Sequence, residues 1–163
     1  MNGAELHLLI NHLPVFGIVF GLLVLIVAVL RNSEELKRAG LALFVVTALG
    51  TIPAYLTGEP AEHNVRDMPE VDRGMIEEHQ DWGIASLIAI EALGVAALAG
   101  LYLARKSGAT SAVPVNGCLA LALIGFGILF WASHLGGRIH HPESRPGFVV
   151  PPRPPGARRL RPE

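Results

Sequence analysis

At 163 residues the chain has the length of one domain, yet 51 % of it is hydrophobic and only 17 % charged, against about 25 % charged in soluble domains. A mean hydropathy of +0.44 and a formal net charge of −1 exclude a soluble globular enzyme and give no reason to expect nucleic-acid binding. One cysteine, Cys118, excludes an intramolecular disulfide framework, a zinc ribbon and covalent haem attachment through C-x-x-C-H.

Four apolar stretches are long enough to cross a bilayer core, which takes about 20 helical residues. They cover about 6–30, 39–57, 79–104 and 114–135. The first follows Glu5 and stays free of charge until Arg31; the second is also uncharged. The third contains one carboxyl, Glu91, and the fourth starts near Pro114, a residue suited to a first helical turn. The runs are continuous rather than alternating, which excludes a β-barrel. The start of the chain lacks a basic region and a small-residue cleavage site, so span one is expected to remain in place. The expected fold is an all-α, integral-membrane, up-down-up-down four-helix bundle over 1–141, with a Pro/Arg-rich extended tail over 142–163.

Basic residues lie in the two short loops, at Arg31 to Arg38 and at Arg105-Lys106. The loop between spans two and three carries Glu59, Glu62, Asp67, Glu70, Asp72, Glu77 and Glu78 against Arg66 and Arg73. The positive-inside rule then places the basic loops in the cytoplasm of a bacterium and both termini on the periplasmic side of its inner membrane. The tail arginines Arg153, Arg158, Arg159 and Arg161 oppose this orientation, but most are about 20 residues past the last span, where the rule weakens. Gly17-x-x-x-Gly21 and Ala92-x-x-x-Ala96-x-x-x-Gly100 are expected to be packing seams between helices.

All seven histidines thread onto one end of this bundle. His7 and His12 open span one, His63 lies in the acidic loop, His79 enters span three, His134 closes span four, and His140 and His141 follow. At 100° per residue His7 and His12 point about 140° apart, so they cannot chelate one ion as a helical pair. Gly136-Gly137 reads as a helix end that separates His134 from His140. Ligation must therefore join different helices, which suits a porphyrin with an axial imidazole from each side. His12, about 8 Å deeper than His7, is expected inside the bundle facing His79 across the diagonal. His134 shares a stripe with Trp131 and Gly127, where a flat ring would find room, and is the third candidate. It could serve a second haem with His7 or with a residue of the Gly136-to-His141 segment, and His7, then His141 with His140 as its substitute, follow it as candidate ligands. The same His12, His79 and His134 are the candidates for a non-haem zinc, copper or iron ion, for which neutral imidazole is suited. Glu91, alone in span three, is a candidate proton or quinone contact, with Thr47 placed to hydrogen-bond it.

The opening Leu6-His7-Leu8-Leu9-Ile10-Asn11-His12-Leu13-Pro14 resembles the H-P-x-x-x-H-F-P start of the DUF2231 family of small four-span bacterial membrane proteins, with Leu8 in place of its usual proline. Thr57-Gly58 closing span two, His79 entering span three, and Leu135-Gly136-Gly137-Arg138-Ile139-His140-His141 after span four carry the resemblance over residues 5–142. It implies the four-helix architecture and haem b held non-covalently, one or two groups, by the recurrent histidines. With these histidines it points to a b-type cytochrome subunit passing electrons between a quinone or redox partner and an external acceptor, rather than to a stand-alone enzyme. The alternatives are a non-haem metal protein and an anchor or assembly subunit. The tail, rich in proline and arginine, is expected to dock on other membrane or periplasmic subunits.

Overall fold

A computed structural model describes residues 2–68 and 71–149, and all regular structure among them is helical. The elements are α1 (Gly3–Ile10), α2 (His12–Leu30), α3 (Glu34–Leu56), α4 (Gly58–Val65), α5 (Arg73–Ser107) and α6 (Ala112–His140), followed by one 3₁₀ turn, Pro142–Ser144. Four helical stretches, α1–α2, α3–α4, α5 and α6, are long and apolar enough to cross a membrane. Of the tail assigned to 142–163, residues 150–163 lie outside the described residues.

Two of the four stretches are broken, and proline explains both breaks. Pro14 offers no N–H to the Ile10 carbonyl and its ring crowds that carbonyl, so α1 stops and the chain turns at Asn11. Pro60 acts in the same way on Leu56, and the turn falls at Thr57. Each break lies three residues ahead of its proline. The short helices α1 and α4 beyond the breaks pack on each other, with Gly3 close against Pro60. Asn2 caps α1 through a capping box with Glu5.

The long helices form a closed ring of contacts: α2 packs on α3 and α6, and α5 packs on the same two. Small residues set the spacing. A Cβ on Gly21 would enter the Phe44 ring, one on Gly17 would strike Thr47, and one on Gly94 would strike Ala48. The Gly17–Gly21 seam is therefore a real interface between α2 and α3. On α5 the seam runs along Leu93, Gly94, Ala97, Gly100 and Ala104, not along Ala92 and Ala96 as the spacing implied, since Ala92 is exposed. Ile18, Leu25, Leu41, Phe44, Ile90, Leu93, Ala97 and Cys118 are fully buried between the helices. The outer surface is apolar too, with Phe16, Phe20, Val46, Leu49, Ile88, Val95, Leu98 and Phe130 exposed. A helix apolar on all sides belongs in a large core or a bilayer.

The basic end is tied by charge. Lys37 Nζ donates to Glu34 Oε1 at 2.7 Å, the Thr110 amide donates to Glu34 Oε2 at 2.6 Å, and Arg38 donates to the Gly108 carbonyl at 2.9 Å. Gly108 ends α5 at φ 81, a conformation that favours glycine. The bonds from Lys37 and then from the Thr110 amide hold the Glu34 carboxyl, which precedes the uncharged stretch 39–57, down from 4.5 to about 2. A carboxylate depressed in the folded state stabilises fully above its unfolded value and loses that contribution as pH falls through the folded one. Thermal scans of purified protein should show Glu34→Gln less stable than wild type at pH 6, with the difference vanishing between pH 4.5 and about 2.

Candidate functional site

The proline breaks decide which histidines face inward. In α2 the buried residues Pro14, Ile18, Gly21, Leu25 and Ala28 make one stripe. Continued toward the start of the chain by a heptad, it reaches Asn11 and His7 and leaves His12 on the opposite side. In α5, His79 lies three residues past Ile76 and seven before Ser86, both buried. His7 and His79 accordingly meet, half-buried, with ring centroids 6.5 Å apart and planes at 77°.

Each of these rings is anchored through the same atom. His7 Nδ1 lies 3.1 Å from the Ala54 carbonyl and 3.0 Å from Thr57 Oγ1. The Thr57 hydroxyl donates its hydrogen to Ala54 O at 2.9 Å, so its lone pair faces the histidine and the Nδ1–H is shared between the two oxygens. Ala54 O is one of the carbonyls at the Thr57 break, which is why it is open to a side chain. His79 Nδ1 donates to the Ala132 carbonyl at 2.9 Å. That approach depends on Gly136, because a Cβ there would lie 2.9 Å from His79 Cε1 and 3.3 Å from its Nε2. Since a carbonyl can only accept, both neutral rings carry hydrogen on Nδ1 and the lone pair on Nε2. This is the arrangement in which an outer carbonyl orients a metal-ligating imidazole.

The other expected ligands are placed differently. His12 is exposed; its Nδ1–H donates to Leu8 O at 2.9 Å and its ring stacks on Phe16. It closes the turn opened by Pro14 and does not face His79. His134 is exposed on α6 with its ring against Trp131, centroids 5.5 Å apart, so the stripe through Gly127, Trp131 and His134 looks outward. Gly136-Gly137 does not end the helix: α6 continues to His140. His141 is exposed and bonded to Glu143 Oε1 at 2.8 Å, and His63 is exposed on α4. The side chain of His140 lies outside the described residues. Among the described residues no three His, Cys, Asp or Glu side chains group to hold an ion.

Glu91 is half-buried in α5 with Oε1 enclosed and without a hydrogen-bond partner. The expected bond to Thr47 is not made; the Thr47 hydroxyl donates to Leu43 O at 2.7 Å within its own helix and its side chain abuts Gly17.

Sequence reasoning ranked depth along the helix above phase around it, and so placed His12 ahead of His7. It also missed Gly136 as the residue that admits His79 to the Ala132 carbonyl. The buried stripe ending at Pro14 was the available signal. No family model, no curated protein and no solved structure matches the chain.

Proposed function

We propose that the protein crosses a bacterial inner membrane four times, up-down-up-down, with the histidine-bearing end on the periplasmic side, and that it is a b-type cytochrome subunit. In this reading His7 and His79 hold haem b and the chain passes electrons between a quinone or redox partner and an external acceptor. The observation that carries it is the pair of imidazoles from different helices, each with Nδ1–H committed to a backbone carbonyl. The two rings lie 6.5 Å apart with planes at 77°, and with Nδ1–H committed each could offer its Nε2 to a metal. Gly136 lets the His79 ring close on the α6 backbone. Bound there, haem b supplies one-electron exchange. The chain contributes the ring tautomers and the ring positions fixed by Ala54, Thr57 and Ala132.

Protein purified from haem-replete cells should show a Soret band. A colourless protein with stoichiometric zinc, copper or iron would move the reading to a non-haem centre. A colourless and metal-free protein would leave the histidines as closures of broken helix ends.

Orientation has its own test. The native Cys118 is buried, so an introduced cysteine reports alone. An impermeant thiol reagent on intact cells should label Asn64→Cys in α4 and spare Glu35→Cys at the start of α3, both exposed positions. The reverse pattern would put the histidines on the cytoplasmic side.

A further inference from the structure

The outward stripe of α6 is accounted for neither by the core nor by the histidine pair. Gly127, Trp131, His134 and Arg138 follow one another at spacings of four, three and four residues, so they share one helix face. The stripe is about 16 Å long at 1.5 Å per residue. At its lower end a Cβ on Gly127 would meet nothing within 4 Å, which leaves the exposed helix backbone uncovered there. At its middle Trp131 is 40 % exposed, with its ring edge-on to Trp82 of α5 at 6.4 Å and tilted against His134 at 5.5 Å. At its upper end Arg138 has Nε enclosed with no hydrogen-bond partner among the described residues. A second guanidinium, that of Arg145, is fixed on the carbonyls of Arg138 and Ile139 at 2.9 and 3.1 Å. Polarity thus rises along one face, from an uncovered glycine through an aromatic pair to a partly exposed guanidinium.

We propose that Gly127, Trp131, His134 and Arg138 seat an anionic phospholipid, its phosphate on Arg138 and His134 and one acyl chain over Gly127. Arg138 is partly exposed at this end, and a phosphate oxygen is the acceptor that the boundary of a bilayer offers a guanidinium in quantity. Tryptophan belongs at that same boundary, where its ring meets chains and its N–H meets headgroups. The apolar lower half selects a lipid over free phosphate, because inorganic phosphate would use only the upper end. His134 thereby gains a role that does not involve the histidine pair. The seat rests on the membrane reading above and is independent of haem.

The test uses the full chain in detergent with mixed phosphatidylglycerol and phosphatidylcholine, read by native mass spectrometry of retained lipid. Wild type should retain phosphatidylglycerol in preference, and Arg138→Gln should reduce that preference about five-fold, the value of one basic contact to an anionic headgroup. Gly127→Leu, which covers that backbone and leaves every charge in place, should lower retention of the same lipid, and glycerol phosphate should not compete. Equal retention of the two lipids, or a preference that survives both substitutions, overturns the proposal. Competition by glycerol phosphate at equal concentration would also overturn it, in favour of a simple phosphate site. Alkaline carbonate extraction separates this from the reading beneath it. Release of the protein from membranes would sink the membrane assignment and the seat together, whereas a retained protein without lipid preference would sink the seat alone.

Discussion

His7→Ala and His79→Ala should each remove the Soret band from the purified protein, while His12→Ala and His134→Ala keep it. The distinction follows from what each ring touches. His7 and His79 face one another at 6.5 Å across the end of the bundle; His12 and His134 are exposed and engaged with their own helices. Losing one anchoring hydrogen bond costs about 1 kcal/mol, too little to unfold four packed helices, so the colourless variants should still fractionate with membranes. A haem content that falls in His12→Ala and persists in His7→Ala would return the site to the ligand pair that helix depth alone favours. Thr57→Val keeps the imidazole and removes one of the two oxygens that share its Nδ1–H. It should shift the spectrum or the midpoint potential without emptying the site.

Gly21→Ala should destabilise the fold by about 1–3 kcal/mol, the usual cost of overpacking. Its new Cβ would fall 2.7 Å from Phe44 Cδ1 and closer still to Cε1, and Phe44 is fully buried and held on all sides. Between two apolar helices the contact acts through fit and dispersion, and in a bilayer, as proposed above, the apolar transfer term would be close to nil. Phe44→Leu should therefore relieve part of the strain, and the double variant should be less destabilised than the two single effects added together. Denaturation in detergent provides the comparison. An unchanged Gly21→Ala would mean that α2 and α3 meet in another register.

Four long helices were legible because apolar residues run nearly unbroken, Glu91 excepted, between short charged stretches. The gathering of histidines at one end was legible for the same reason, since position along a span needs only residue count. Rotation about the helix axis was not, because a helix that is apolar on all sides has no polar face to set its phase. His7 and His12 differ by about 140° around the axis, and only the small and buried residues Pro14, Ile18 and Gly21 tell which of them points inward. The breaks at Asn11 and Thr57 were written in Pro14 and Pro60, yet proline three residues after a helix stop also occurs where a helix simply ends. The continuation of α6 through Gly136-Gly137 ran against local propensity. There the missing side chain serves the neighbouring imidazole, which no local rule for helix ends anticipates.

The two broken turns give the molecule an unusual sensitivity to insertions and deletions. One residue added between Leu8 and Leu13 would turn everything before it by about 100° and shift it by about 1.5 Å. The apolar length of the stretch would hardly change. His7 would then point away from Ala54 and His79, and no compensating change in hydropathy could restore it. Chain length across 8–13 is thus a constraint on the imidazole pair and on the packing of α1 against α4, separate from the apolar length of the stretch.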